Sequence, residues 1–183
     1  TSMSVFIREF MERYQGRELG SPPLRYRDFS AWFERRHKEK AFEDAKAFWL
    51  RQFKDHVPML DLPVDYPRPP VQGFQGAHID FVVPDIDTAG LNALALQTGT
   101  TLFNVLLALF NILLARLSNQ QDIVVGTPVS GRKHDDLMNT VGMFVNTLAL
   151  RNFPNGNRTI EDFIKETGKR SAQAFEHQEY PYE

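Results

Sequence analysis

The 183-residue chain carries 21 Lys and Arg against 23 Asp and Glu, which leaves a formal charge of −2 at pH 7. This balance excludes the basic surface that nucleic-acid recognition needs, so no nucleic-acid partner is expected. The chain has no cysteine, which excludes disulfide scaffolds, cysteine-ligated zinc and thiolate catalysis. The N-terminal residues lack the basic, apolar and small-residue regions of a secretion signal, and this favours a cytoplasmic protein.

Three amphipathic helices and a proline-rich segment are predicted first along the chain. Apolar residues recur at helical spacing over residues 2–14, 26–37 and 41–56, with charged residues on the opposite faces. Residues 57–76 contain five prolines. Because proline fixes φ and lacks a backbone donor, this segment is predicted to be an extended, semi-rigid crossover between two lobes.

The order of elements predicted after residue 76 is β-α-α-β-β-α, which is typical of an α/β fold with a mixed sheet. Residues 77–83 alternate as a half-buried strand does, and Asp85 or Asp87 is expected to cap a helix that Gly99 ends. A strongly apolar helix is predicted over residues 102–117. It is too short for a membrane span and contains two asparagines, so it is interpreted as a helix buried in protein and no membrane partner is expected.

Two strands and a last helix complete this order. The β-branched run at residues 123–125 indicates a buried strand, and residues 142–150 are predicted to form another. The last helix is predicted to start at Thr159. Its inward-facing residues are expected to be Ile160, Phe163 and Ile164.

Residues 126–133 have two glycines at the separation found in a phosphate-binding loop. Arg132 and Lys133 occupy the positions where such a loop needs a lysine and a hydroxyl, and Pro128 removes a backbone donor. Nucleotide binding is therefore rejected for this loop. A solvated surface loop and a loop that lines a site both remain open.

No metal site or catalytic triad is predicted. The histidines are not spaced as metal ligands, and the run of residues 134–136 is interpreted as a polar loop. Ser130 lacks the sequence context of a nucleophilic serine. Asn146 is different, because it interrupts an apolar strand and a buried amide costs free energy unless it is hydrogen-bonded. Asn146 is therefore expected either to bond a neighbouring backbone or to face a polar channel.

Four segments together resemble the condensation domains of nonribosomal peptide synthetases. Residues 26–32 (YRDFSAW) are similar to the family's YxDFAxW motif, and residues 62–69 (LPVDYPRP) are similar to its LPxDxPRP segment. Residues 141–151 (VGMFVNTLALR) are similar to VGxFVNTxxxR, and residues 177–183 (HQEYPYE) to HQDYPFE. The segments have the order and spacing of the family and extend over almost the whole chain.

This resemblance implies part of a two-lobed, chloramphenicol acetyltransferase-like (CoA-dependent acyltransferase) α/β fold. It implies an enzyme that forms an amide bond between two aminoacyl or peptidyl thioesters, each delivered on the phosphopantetheine arm of a carrier protein. The expected partners are donor and acceptor peptidyl carrier proteins, the remainder of the condensation domain and an adjacent adenylation domain. No cofactor or metal is expected to be bound by the domain itself.

The family's HHxxxDG motif, which carries the catalytic histidine, is absent from these residues. The sequence from Thr1 resembles the stretch that comes directly after that motif, so the resemblance implies a middle segment without a catalytic residue or activity of its own. Residues 1–56 would end the N-terminal lobe. Residues 57–76 would cross over, and residues 77–183 would open the C-terminal lobe.

Residue roles follow from the same motifs. The resemblance places Asn146 and the loop residues Ser130, Gly131 and Arg132 near the substrate tunnel. The Asn146 amide would bond a thioester or pantetheine amide there, and sheet or lobe packing is the alternative. The other motif residues are expected to be structural, with Arg151 pairing to a carboxylate. They are Tyr26, Asp28, Trp32, Gly142, Phe144, Arg151, Tyr180 and Pro181.

Other functions on the same fold remain open. A catalytically silent relative would only dock carrier or tailoring proteins. Epimerisation and heterocyclisation domains share the fold, and heterocyclisation domains have paired aspartates in place of the absent histidine motif. The close match to VGxFVNT favours ordinary condensation over both. A free-standing CoA-dependent acyltransferase is not supported, because its DFGWG motif is absent.

Overall fold

The computed structural model describes residues 2–21, 24–71 and 73–181. Thr1, Tyr182 and Glu183, which the sequence analysis places in motifs, lie outside these residues. The chain forms two compact units. Unit 1 comprises Thr1–Asp55, Gly126–Ala149 and Phe175–Glu183, and unit 2 comprises His56–Val125 and Leu150–Ala174.

The described residues form six α-helices and one pair of strands. The helices are α1 (Ser2–Tyr14), α2 (Tyr26–Arg36), α3 (Lys40–Gln52), α4 (Asp85–Thr98), α5 (Leu102–Ser118) and α6 (Ile160–Glu176). The strands β1 (Ile123–Val129) and β2 (Asn146–Asn152) pair with each other, and a 3₁₀ helix covers Asp135–Leu137. All six predicted helices are confirmed, because their hydrophobic periodicity is long and regular.

Cap residues explain several of the helix ends. The Thr159 hydroxyl accepts a hydrogen bond from a backbone N–H in the first turn of α6, and Gly99 ends α4 in the left-handed conformation, with φ 66°. The expected cap of α4 by Asp85 or Asp87 is wrong. Pro84 occupies the N-cap position, and both aspartates lie inside the first turn. Their negative charges interact favourably there with the positive end of the helix dipole.

The core of unit 2 combines side chains of α4, α5 and α6. Its buried members are Ala95, Val105, Ala108, Phe163 and Ile164. Phe163 and Ile164 face inward as predicted, whereas the prediction for Ile160 is wrong. Ile160 is 55% exposed, since it is the first residue of α6 and lies beyond the packed part of the helix.

Helix α5 is apolar on both faces, but unit 2 covers only one of them. Val105, Ala108 and Leu114 are buried, so the predicted core helix is confirmed for that face. The other face is 43–52% exposed and consists of Phe103, Leu106, Phe110, Leu113 and Leu117.

Among the described residues no single helix is long and apolar enough to cross a membrane. Helices α4 and α5 pass that test only as a pair, by length and composition, with a 103° bend between them.

The proline-rich segment contains neither helix nor strand over residues 57–71 and 73–76. Gln120, which follows α5, fastens it in two places. The Gln120 side-chain oxygen accepts from the Asp61 N–H, and its amide donates to the Met59 carbonyl, each at 2.9 Å. Hydrogen bonds of unit 2 thus hold the start of this segment.

The prediction of a strand at residues 77–83 is wrong, because this segment has no regular structure. A strand needs a partner for its backbone N–H and C=O groups, and in the part of the chain that is described β1 and β2 pair only with each other. Ile79 and Phe81 remain 90% and 83% exposed. The order after residue 76 is therefore α-α-β-β-α, with the 3₁₀ helix between the strands.

The two strands also differ from their predicted limits. β1 continues through Pro128 to Val129, so the first half of the predicted loop is strand. Proline is tolerated there because both strands of a two-stranded sheet are edges. β2 begins at Asn146, after the Gly142–Val145 stretch that was predicted to start it.

The compact units group the chain differently from the predicted segments. Residues 126–149 and 175–183 belong with the three N-terminal helices in unit 1. The assignment of residues 1–56, 57–76 and 77–183 to one lobe, a crossover and a second lobe stays a prediction.

Candidate functional site

Unit 1 contains a partly open cavity of about 190 Å³, which we call the motif cavity. Its lining comes from residues 26–33 of α2, from residues 131–137, from residues 143–146 and from residues 178–181. Three of these four stretches lie in the YxDFAxW-like, VGxFVNT-like and HQDYPFE-like segments. Unit 1 therefore brings together motif residues that are far apart in the sequence.

Aromatic rings form one wall of the motif cavity. The centroid of the Phe29 ring lies 4.7 Å from that of Phe144 and 5.8 Å from that of Trp32. The Tyr26 ring meets Phe144 edge-on at 5.2 Å, and its hydroxyl donates to the Met143 carbonyl at 2.8 Å. Aromatic pairs of this kind contribute about 0.5–1.5 kcal/mol each beyond area burial. They hold α2 against the residues that precede β2.

Two glycines permit this close packing. Gly131 has φ 64°, and a Cβ at this position would overlap the carbonyl group of Phe144. A Cβ on Gly142 would overlap the ring of Tyr26. Any other residue at these positions would therefore push the aromatic wall away from the segments it contacts.

The side-chain amide of Asn146 forms hydrogen bonds to other groups of the chain. Its Nδ2 donates to the carbonyls of Gln178 and Tyr180, each at 2.8 Å. Its Oδ1 accepts from the N–H of Thr147 at 2.8 Å. These bonds offset the cost of placing an amide in an apolar strand, and they hold residues 178–180 beside the start of β2.

Glu179 lies between the two carbonyls that Asn146 binds, and it forms two ion pairs. Its carboxylate is 3.2 Å from the Arg36 guanidinium and 3.2 Å from the Lys133 ammonium. The Glu179 side chain is 24% exposed, so water screens these pairs less than it would at an open surface. Arg36 ends α2 and Lys133 follows β1, so one carboxylate joins three segments.

Helix α3 also contacts these C-terminal residues. The Trp49 indole donates to the His177 carbonyl at 3.0 Å, and the Phe42 ring lies 5.2 Å from the Tyr180 ring. Tyr180 and Pro181 also line a second cavity of about 140 Å³. Residues 177–181 thus form a wall that is fixed by several elements of unit 1.

A model of the condensation domain matches residues 1–183 of the chain. The chain belongs to the condensation-domain family. It is 45% identical over 182 residues to gramicidin S synthase 2 of Brevibacillus brevis, and 44% and 42% identical to tyrocidine synthases 3 and 2 of Brevibacillus parabrevis. These alignments cover 100% of this chain but only 4%, 3% and 5% of the three proteins, so it spans a small part of their length.

Solved structures show the same fold. A four-domain nonribosomal peptide synthetase bound to AMP and glycine is 32% identical, with a TM-score of 0.73 over 80% of this chain and 11% of its own. The X-domain from teicoplanin biosynthesis is 22% identical, with a TM-score of 0.89 over 99% of this chain and 43% of its own. The predicted class, part of a chloramphenicol acetyltransferase-like α/β fold, is confirmed.

In this condensation-domain segment the predicted tunnel residues have different surroundings. Gly131 and Asn146 line the motif cavity. Ser130 is exposed, and its hydroxyl is 3.4 Å from the backbone nitrogen of Arg132, from which it accepts. The position of these residues near a substrate tunnel stays a prediction.

Arg132 is buried beneath the aromatic wall. Its guanidinium lies over the Phe144 ring at 4.1 Å and donates to the Leu137 carbonyl and, at 2.8 Å, to the Ser2 hydroxyl. Burial lowers the pKa of Arg132 from its ordinary value, but a guanidinium in a protein keeps its charge. The contacts of Arg132 join the loop after β1 to α1.

Two motif residues have contacts away from the motif cavity. The Asp28 carboxylate accepts from the Arg25 N–H at 3.1 Å, which fixes the start of α2. Arg151 belongs to unit 2, where its guanidinium forms a two-bond pair with the Asp122 carboxylate at 2.8 and 2.6 Å. The structural roles expected for Asp28 and Arg151 stay predictions.

Sequence reasoning missed the charged group formed by Arg36, Lys133 and Glu179. No local spacing connects these residues, since each comes from a different segment. The one available signal was the acidic residue inside HQEYP, which stands where the family motif has Asp. The run at residues 134–136 was predicted to be a polar loop, but Asp135 and Asp136 belong to the 3₁₀ helix Asp135–Leu137. The described residues contain no group of three or more His, Asp or Glu that could hold a metal ion.

Replacing Gly131 by alanine should destabilise the condensation domain that contains this segment. The positive φ and the overlap with Phe144 predict a loss of about 1–3 kcal/mol in the free energy of unfolding, measured by urea denaturation. Gly156 provides the matched control, because a Cβ at this position would have no neighbour within 4 Å and its φ is not positive. Equal stability of Gly131→Ala and Gly156→Ala would contradict the packing described here.

Proposed function

We propose that this chain is part of a condensation domain of a nonribosomal peptide synthetase, which joins two carrier-bound aminoacyl or peptidyl thioesters through an amide bond. The observation that carries the proposal is the family match over residues 1–183, together with 41–45% identity to gramicidin S, tyrocidine and plipastatin synthases.

In the proposed reaction the amine nitrogen of the acceptor attacks the carbonyl carbon of the donor thioester. A C–N bond forms and the C–S bond breaks, so the thiol of the donor arm leaves and the amine gives up a proton. Bringing both thioesters into one site makes the step effectively unimolecular. These residues contain no HHxxxDG sequence, so we assign the proton transfer to a histidine outside them and propose that the segment alone is inactive.

For the residues of unit 1 we propose a positioning role. The Asn146 amide hydrogens bind two backbone carbonyls, and the Glu179 carboxylate binds two cations. Because these groups are committed to the chain, they favour the packing role of Asn146 over hydrogen bonding to a substrate. Their function would be to keep the walls of the motif cavity in a fixed place.

The proposed partners are a donor and an acceptor carrier protein, which deliver the substrates on phosphopantetheine arms, and a neighbouring adenylation domain. A solved relative is a four-domain synthetase, which supports this expectation. The similarity to X-domains at 22% identity concerns the fold alone. The comparisons do not favour a silent docking module or an epimerisation or heterocyclisation relative.

The proposed activity predicts a clear difference between the intact condensation domain and this segment. The intact domain should convert two loaded carrier proteins into an amide-linked product, detected by mass spectrometry of the acceptor carrier, whereas the 183-residue segment should yield none. The intact domain with Ala in place of the second histidine of HHxxxDG is the control for uncatalysed transfer. Absence of product from the intact domain would refute the function, and turnover by the segment would refute its inactivity.

Replacing Asn146 by aspartate should slow condensation in the intact domain. The variant keeps the shape of the side chain, but a carboxylate replaces the two donors that face the carbonyls of Gln178 and Tyr180. The loss of two hydrogen bonds would let residues 178–180 move away from the start of β2, and because small displacements in a site slow a reaction strongly, we expect kcat/KM to fall by about tenfold or more.

Thr147→Ser is the matched control for this experiment, since the Thr147 side chain contributes no bond to residues 178–180. The melting temperature of each variant separates slow condensation from loss of folded protein. An Asn146→Asp domain with unchanged kcat/KM would contradict the positioning role.

A further inference from the structure

We propose that the motif cavity binds an uncharged apolar group of the size of one aromatic ring, presented by the side chain of a carrier-bound substrate. The inference rests on the proposed function, because it names the class of substrate side chain that unit 1 of the condensation domain accepts.

The volume of the motif cavity sets the size of this group. The cavity measures about 190 Å³. An engineered apolar cavity of about 150 Å³ in another protein is known to bind benzene. The motif cavity therefore has room for a single six-membered ring or a branched aliphatic group of similar volume.

The walls of the cavity favour an aromatic or aliphatic group. The rings of Phe29, Trp32, Phe33 and Phe144 line it from two segments, and the flexible side chain of Met143 completes the wall. Aromatic rings attract one another in edge-to-face and offset arrangements, and a methionine side chain adapts to irregular shapes. These side chains offer an apolar guest contact from several directions.

The polar groups of the lining argue against a charged guest. Lys133 and Glu179 pair with each other, Asn146 donates to backbone carbonyls, and the Tyr26 hydroxyl donates to the carbonyl of Met143. A charged guest would lose its hydration without gaining an unpaired counter-charge from this lysine or this carboxylate. An apolar guest has no such favourable hydration to lose when it enters the cavity.

Fluorine NMR of fluorobenzene with the intact condensation domain tests the site directly. Fluorobenzene should show saturable binding, and 4-fluorobenzoate and 4-fluorobenzylammonium should bind more weakly. The Val145→Trp variant should weaken fluorobenzene binding by at least about tenfold, because the new ring takes the same volume. Val71→Trp, the same change at a residue that does not line the cavity, should leave the affinity unchanged.

Several results would contradict the proposed binding of an apolar group in the motif cavity. Absence of saturable fluorobenzene binding would do so, as would equal affinity in the Val145→Trp and wild-type domains. Tighter binding of either charged analogue would contradict an uncharged guest. A melting curve of Val145→Trp verifies that its folded fraction matches that of Val71→Trp.

Competition distinguishes a substrate side chain from a free small molecule. Phenylalanyl-pantetheine should displace fluorobenzene, and glycyl-pantetheine should not. Failure of the phenylalanyl thioester to compete would refute the substrate assignment. These measurements use binding alone, so a domain that binds as expected but forms no amide product would refute the proposed function and leave the site intact.

Discussion

The backbone carbonyls of Gln178 and Tyr180 follow α6 in unit 1. Both accept hydrogen bonds from a single side chain. Asn146 supplies its two amide hydrogens from the first position of β2. The residue between the carbonyls, Glu179, then points its carboxylate at Arg36 and Lys133. Backbone bonds at Gln178 and Tyr180 therefore alternate with the side-chain ion pairs of Glu179. Together they connect residues 178–180 to β2, to α2 and to the loop after β1. The aromatic wall packs around this arrangement, and the motif cavity is the space that remains.

This arrangement gives a physical meaning to the three motifs of unit 1. Tyr26 and Trp32 supply the aromatic face of α2, Gly131 and Gly142 allow the backbone to approach that face, and Asn146 secures the C-terminal residues opposite it. Polar groups in an apolar setting stabilise one geometry when all their bonds are made, and they are costly when bonds are missing. The proposed function requires two large thioester arms to be held in register, and walls that do not move would favour this. Under the proposed function, the motifs act on catalysis by positioning rather than by direct chemistry.

Features determined by local pattern could be predicted from the sequence, and features determined by distant partners could not. The six helices follow from periodicity, and Gly99 and Thr159 mark helix ends because their conformations and hydrogen bonds are local. Residues 77–83 have the alternation of a strand, but alternation does not supply a pairing partner. Asn146 could be singled out because an amide in an apolar strand must be satisfied, yet its partners near the C-terminus could not be identified. The ion pairs of Glu179 were missed for the same reason, since charge complementarity between distant segments leaves no spacing pattern. The family resemblance gave the fold class, and the geometry of the cavity came from the structure.

The central claim is that side-chain bonds hold residues 178–180 against the rest of unit 1. A double-mutant cycle between Lys133→Met and Glu179→Gln tests it most directly, because it measures the coupling energy between this stretch and the loop after β1. The free energies of unfolding of the intact condensation domain, its two single variants and the double variant give the coupling energy. Residues in direct contact couple by about 0.5 kcal/mol or more, whereas independent residues add within about 0.3–0.5 kcal/mol. The account predicts coupling above that limit, with the two single variants each less stable than the wild type. Strictly additive effects would contradict it.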